Sequence, residues 1–218
     1  MQTVTFVVDG ALEHRDHTGG HGVLREGDVQ WMTAGRGVMH SEMPHADEMA
    51  HTLQLWLNLP AKMKMMPARY VNQSRAEVPA QTGDGTEMRV YAGRAGNEDM
   101  PHGSDWPMMM LDIHADAGRT LRPEVPAGYR GFLYVMLGRA KLGANAADVT
   151  APSVAWFDPS SGDGTDTLTI VADEPFRAVL CAGPPIDEPV VFGGPFVMNT
   201  QDEIRQAFVD FRSGRFLG

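Results

Sequence analysis

Cysteine is almost absent from this chain. Cys181 is its single thiol, so no intramolecular disulfide can form and no cysteine-rich zinc site can be built. Basic charge is also short: 18 Lys and Arg face 28 Asp and Glu, for a formal net charge of −10. With no Lys/Arg cluster to offset that balance, direct nucleic-acid contact and charge-driven binding to an anionic membrane are excluded. Long apolar runs are missing as well, so no segment reads as a membrane-spanning helix. The first residues, MQTVTFVVDGALEHRD, carry neither a basic stretch ahead of an apolar one nor a small-residue cleavage site, and the expected address is a reducing cytoplasm. Histidine is missing from the second half. All eight (His14, His17, His21, His40, His45, His51, His102 and His114) lie at or before position 114. A histidine-based metal site can therefore draw only on the first half of the chain.

What is present has a period of two. Val4, Phe6 and Val8 alternate with Thr3, Thr5 and Val7, and Leu53, Leu55, Leu57 and Leu59 alternate with Thr52, Gln54, Trp56 and Asn58. Residues 132–137, 167–172 and 176–182 read as further strands, with turn signals at Asp9-Gly10, Gly19-Gly20, Arg36-Gly37 and Ser161-Gly162. Short strands and frequent turns predict an all-β sandwich or barrel. The C-terminus is the exception. Thr200 and Glu203 form a capping box, Ile204, Ala207, Phe208 and Phe211 share one helical face, and Gly214 supplies the stop. A weak internal repeat, VVDGALEH then GDVQWMTAG against VMLGRAKLG then PSVAWFDPSSG, suggests two copies of one β-unit. Residues 61–106, rich in Pro, Gly and Met, read as a crossover and linker between domains at 1–60 and 107–218.

The sharpest local pattern is Trp31 to Glu42, WMTAGRGVMHSE, where a Gly-rich turn is followed by His40-Ser41-Glu42. Period two puts His40 and Glu42 on one face, roughly 7 Å apart at the backbone. An imidazole and a carboxylate converging there suit Fe(II), Mn(II), Ni(II) or Zn(II). The spacing alone is more often that of an ordinary surface or cavity pair.

The stretches EHRD…GDVQWMTAGRGVMHSEMP and LQLWLNLPAKMKMMPARY, with the tail GPFVMNTQDEIRQAF…GRF, resemble the pirin family of bicupins over 2–70 and about 107–218. The resemblance implies two cupin-type β-barrels with a short C-terminal helix, and one mononuclear metal, usually Fe(II), in the N-terminal barrel. It implies a His-x-His pair and a His-x-Glu pair as ligands. His40 and Glu42 match the second pair, which makes Glu42 both ligand and candidate catalytic base. The family's His-x-His stands just before a segment resembling Gln2 to Phe6, where this sequence begins. The expectation is a first barrel that is incomplete, with open edges through which the chain could self-associate.

Two functions follow from the resemblance. One is a dioxygenase of the quercetin 2,3-dioxygenase type, acting on an aromatic flavonol substrate. The other is a non-enzymatic, redox- or metal-linked regulator that binds a protein partner, a transcription co-regulator or a regulator of a metabolic enzyme, through the histidine-free second barrel and the C-terminal helix. The remaining histidines get plainer readings. His14, His17 and His21 are taken as a solvated hairpin end and not as replacements for the His-x-His pair. His45 and His51 flank an exposed acidic loop, and His114, alternating with Asp112, is a hydrogen-bonded strand residue. Cys181 reads as a small buried hydrophobe.

Overall fold

The computed structural model describes residues 1–46, 49–100, 103–158 and 160–217, and the chain divides into two compact units. Unit 1 gathers 1–77, 103–105 and 186–218, and unit 2 gathers 78–102 and 106–185. His102 and the loop residues Asp47 and Glu48 lie outside the described residues.

Unit 1 is organised by one long strand, β1 (Gln2–Asp16). Its first half pairs with β3 (Val29–Thr33) on one side and with β5 (Ala50–Leu57) on the other. Its second half pairs with β2 (His21–Arg25) and β4 (His40–Pro44), and β3 in turn pairs with β6 (Arg69–Gln73). All these ladders are antiparallel, and they form an open sheet. Being paired on both sides, β1 is no edge: Val4, Phe6 and Val8 are buried, and so are Thr3 and Thr5 on the opposite face.

The expected turn at Asp9-Gly10 is not a turn. Gly10 lies inside β1, where the ladder to β5 shifts register between Val7 and Asp9. This bulge changes which residues share a face. Odd-numbered Val7 and even-numbered Leu12 belong to one buried cluster with Leu24. Gly10 has φ +79°, and a Cβ there would sit 1.8 Å from the Met49 carbonyl oxygen. Only glycine permits so close a backbone approach.

The C-terminal segment packs with unit 1. A hairpin of Val191–Gly193 and Phe196–Met198 leads into α1 (Gln201–Arg212). The Thr200 hydroxyl accepts from the Glu203 N–H and the Glu203 carboxylate accepts from the Thr200 N–H, so the capping box forms as read. Ile204 is buried and Ala207 and Phe208 are half-buried, while Phe211 is half exposed.

Unit 2 has two main antiparallel sheets around one core, with a two-stranded ladder of Glu124–Pro126 and Thr165–Thr167 beside them. The larger runs in the order Ser153–Phe157, Arg130–Leu137, Phe176–Gly183, Met109–Ala115, Thr86–Ala95, Ala80–Gly83. The smaller orders Thr120–Leu121, Ile170–Ala172, Arg139–Leu142 and Ala147–Thr150. Leu111, Ile113, Leu133, Val135, Ile170 and Leu180 fill the space between with no exposed surface. Asp112 and His114 alternate to the other face, where His114 Nε2 meets Asp112 Oδ2 at 3.0 Å and Arg177 bonds both Asp112 oxygens at 3.2 Å. Residues 61–106, expected as a crossover and linker, carry strands of both units. They contribute β6 to unit 1 and the strands at 80–83, 86–95 and 98–100 to unit 2. Composition concealed them because their order comes from pairing with distant strands, such as Val29 of β3 with the buried Gln73. Among the described residues, no helix is long and apolar enough to cross a membrane.

Candidate metal centre

The turn between β3 and β4 is fixed by close backbone packing. At Gly35, φ is +52°, and a Cβ would lie 2.0 Å from the Met66 carbonyl oxygen. The chain then enters β4, which pairs with the far end of β1 so that Asp16 faces His40 and His14 faces Glu42. His40 and Glu42, two positions apart, share a face as read from the sequence.

Glu42 is held by both oxygens. Thr5 Oγ1 donates to Oε1 at 3.0 Å, and Gln54 Nε2 donates to Oε2 at 2.8 Å. Thr5 and Gln54 are themselves cross-strand partners in the β1–β5 ladder, and the Gln54 amide also reaches Thr5 Oγ1 at 3.2 Å. Trp56 Nε1 donates to Gln54 Oε1 at 3.1 Å, which orients that amide. A carboxylate accepting two hydrogen bonds is pinned in one orientation. Neither Thr5 nor Gln54 stood out in the sequence beyond strand alternation.

His14 is the largest departure from the sequence reading. It is not at a solvated hairpin end but fully buried, and both ring nitrogens lack a hydrogen-bond partner. Its position in the sheet explains this, since β2 and β4 pair on either side of it, with Gly22 and Glu42 opposite. The His14 ring lies 5.5 Å from that of His40 and packs edge-on against Tyr70 at 5.3 Å. Burial and the neighbouring His40 lower the His14 pKa, against the pull of the Glu42 and Asp16 charges. A buried imidazole with no partner costs about 1–3 kcal/mol for each unsatisfied group, so an unpaired ring here calls for a role.

The other histidines of this region are committed elsewhere. His21 Nε2 contacts Glu13 Oε1 at 2.7 Å, and His17 Nδ1 accepts from the Met39 N–H at 3.3 Å. Both belong to the exposed turn, as read.

His40 and Gln54 stand on the wall of a cavity of about 740 Å³ inside unit 1. Its other walls include Met32, Trp56, Phe196, Phe208 and Phe216. Phe196 packs edge-on to Phe208 at 5.0 Å and lies 5.4 Å from Phe216. The result is a large, mostly aromatic and apolar chamber with an imidazole and an amide on one wall.

Among the described residues, no three His, Cys, Asp or Glu side chains already stand close enough to hold an ion. The donors present nevertheless fit a divalent transition metal in kind. There is one anionic carboxylate, one imidazole beside it, and a second imidazole with orphaned nitrogens across the ladder.

Residues 1–57 match the family described as Pirin, and residues 110–217 match the Pirin C-terminal cupin domain. The chain is 38% identical over 219 residues to Pirin-like protein 2 of Arabidopsis thaliana, covering 99% of this chain and 68% of that protein. It is 36% identical over 218 residues to human Pirin, covering 99% and 74%. Among solved structures, a quercetin 2,3-dioxygenase from Acinetobacter baumannii superposes with a TM-score of 0.90 at 32% identity, covering 99% of this chain and 75% of that one.

Proposed function

The chain belongs to the pirin family of bicupins, and from that premise we propose that it is a metal-dependent dioxygenase of the quercetin 2,3-dioxygenase type. The observation that carries this reading is His40 on the wall of the aromatic chamber, with Glu42 pinned beside it by Thr5 and Gln54. The similarity to the Acinetobacter baumannii quercetin 2,3-dioxygenase supports it. His40 and Glu42 would hold the ion, which is Fe(II) in this reading. When bound, it supplies a Lewis-acid centre at which a flavonol hydroxyl oxygen and dioxygen are brought together.

The protein's own part is positioning and proton handling. A cavity of this size and lining accepts a flat, polycyclic aromatic ligand. Phe196, Phe208 and Trp56 offer rings against which such a ligand stacks, and their apolar surface excludes water. Glu42 is the group that takes the hydroxyl proton, and the Thr5 and Gln54 bonds keep its oxygens facing one direction. Gln54, on the cavity wall, is placed to hydrogen-bond a substrate oxygen.

The test is direct. The iron-loaded protein is mixed with quercetin in air, and loss of the flavonol absorbance is followed together with oxygen uptake. Glu42→Gln and His40→Ala should each lower turnover by about 100-fold or more. No oxygen-dependent loss of quercetin with iron, manganese or nickel would overturn the reading.

A second reading is a regulator that docks on a protein. It rests on an exposed apolar patch in unit 2, where Trp156 is 74% exposed, Val154 is exposed, and Phe132 packs against Trp156 at 5.2 Å. Exposed apolar surface of this kind marks interaction sites. Loss of partner binding on Trp156→Ser with the metal content unchanged would support it.

A further inference from the structure

We propose that Arg36 is the specificity-determining residue of the aromatic chamber, selecting aromatic ligands that carry a negative charge on a ring substituent, a carboxylate or an ionised phenol. The inference rests on the chamber described above and deepens the substrate class of that reading.

The ionisable side chains on the chamber wall are Arg36, His40, Glu203, Asp210 and Arg215. Three of them are committed within the protein. Glu203 accepts from the Thr200 N–H at 2.8 Å and from the Asn199 N–H at 3.0 Å, capping α1. Asp210 accepts from Gln206 Nε2 at 2.9 Å and faces Arg215 Nη2 at 3.5 Å. His40 is the imidazole assigned to the ion in the reading above. The Arg36 guanidinium has no ion pair, hydrogen bond or ring partner among the described residues. The free charge on this wall is therefore a cation, although the chain as a whole carries a formal net charge of −10.

An unpaired arginine on an exposed loop is ordinary. What sets Arg36 apart is how its backbone is held. The Arg36 N–H donates to the Met66 carbonyl at 3.0 Å, and the Gly37 N–H donates to the Ala34 carbonyl at 3.0 Å. Gly35, just before it, packs on that same Met66 carbonyl oxygen, where a Cβ would lie 2.0 Å away. At Gly37, just after it, a Cβ would lie 2.8 Å from the Phe216 carbonyl oxygen and 3.0 Å from the Phe216 ring. The loop is thereby clamped between the segment around Met66 and the aromatic wall, and the Arg36 side chain departs from a fixed point beside Phe216. Phe216 in turn lies 5.4 Å from Phe196. A flat ligand stacked on these rings brings its edge within reach of the flexible arginine stem.

The chemistry of that edge decides the gain. A guanidinium offers its N–H donors in a planar fork, which matches a carboxylate through two parallel hydrogen bonds and also serves an ionised phenol. Val38, Met39 and Phe216 line the wall around it, and an apolar surround strengthens the attraction between opposite charges. A neutral aromatic gains the ring contacts alone. A guanidinium can also lie flat on a ligand ring, but that contact does not depend on the ligand's charge, so the two roles separate in a single experiment.

The metal-free full chain is titrated calorimetrically near neutral pH with a matched pair of probes, 2-naphthoate and 2-naphthalenemethanol. Leaving out metal keeps the carboxylate from binding an ion in place of Arg36. The wild-type chain should bind the naphthoate about 10-fold or more tightly than the alcohol. Arg36→Gln should abolish that preference and leave the affinity for the alcohol unchanged. Arg36→Lys should keep part of the preference, and Arg25→Gln, which removes another cation of unit 1, should keep all of it. A thermal melt confirms that each variant is folded. Equal binding of the two probes by the wild-type chain overturns the inference. So does a preference that survives Arg36→Gln, or an equal loss for both probes, which assigns Arg36 to stacking. If the preference follows Arg36 while quercetin is not consumed with any metal, this inference stands and the dioxygenase reading falls. If the wild-type chain binds neither probe, the inference and the chamber that the dioxygenase reading needs fall together.

Discussion

Thr5 Oγ1 donates to Glu42 Oε1 at 3.0 Å, joining two residues 37 positions apart. This bond sets the direction of the carboxylate on which the proposed chemistry depends. Thr5→Val keeps the side chain's volume and β-branching while removing the donor. We expect metal affinity and quercetin turnover to fall by about 10–100-fold. The melting temperature should move by only a few degrees, because one hydrogen bond contributes about 1–3 kcal/mol. Metal titration and a melt on the same sample check both halves of this expectation. Unchanged affinity would mean that Gln54 alone orients Glu42.

The bulge at Gly10 yields a prediction about the whole face that carries His14. Gly10→Ala puts a methyl group 1.8 Å from the Met49 carbonyl oxygen at a φ of +79°. Strain and overpacking together should cost roughly 2–4 kcal/mol. If β1 relieves the clash by slipping register, the β1–β4 pairing that faces Glu42 shifts and metal binding weakens as well. Urea denaturation measures the first effect, and cobalt titration of the folded fraction measures the second.

Much of the site was legible because its signals are local. His40 and Glu42 share a strand, so period two alone places them on one face, and Thr200 with Glu203 forms its box within a single turn. His14 was misread because it stands beside Arg15, Asp16 and the turn at Gly19-Gly20, while its burial comes from strands β2 and β4 pairing on both sides of it. Thr5 and Gln54 were legible as strand residues but not as partners of Glu42, because that contact depends on three strands meeting. The strands within 61–106 were hidden for a related reason. Gln73 is buried and accepts from the Trp31 indole N–H, so a polar residue in a Pro-, Gly- and Met-rich stretch owes its place to a strand 42 positions away.

Unit 2 carries a buried charge whose sign sets its response to pH. Burial alone raises the Asp112 pKa, but His114 and Arg177 outweigh it and hold the carboxyl below its usual range. A carboxyl depressed in the folded state contributes stability that is present above its unfolded pKa of about 3.9 and is lost as pH falls through the folded value. Asp112→Asn removes the buried charge that His114 and Arg177 both face and should cost about 3–5 kcal/mol near neutral pH. The gap between the two proteins should narrow below about pH 4, because protonated Asp112 then resembles the asparagine. Urea melts across pH 3–7 give the curve, and a gap constant over that range would assign the loss to packing.

The Cys181 thiol should be silent in the folded protein. It is buried in the strand Phe176–Gly183 between Leu180 and Ala182, and burial pushes its pKa up to about 12. The thiolate is the reactive form, so at pH 8 the native thiol presents almost none of it. A disulfide-exchange reagent should label less than about 5% of the chains in an hour without denaturant, and all of them in urea. The rate of labelling in dilute urea then reports the opening of this strand, which pairs on both sides with Met109–Ala115 and Arg130–Leu137. Because Asp112 and Arg177 occupy the ladder between the first two, Asp112→Asn should speed that labelling at neutral pH. An unchanged rate would separate opening at Cys181 from the ion pair and place the fraying at the far end of the strand.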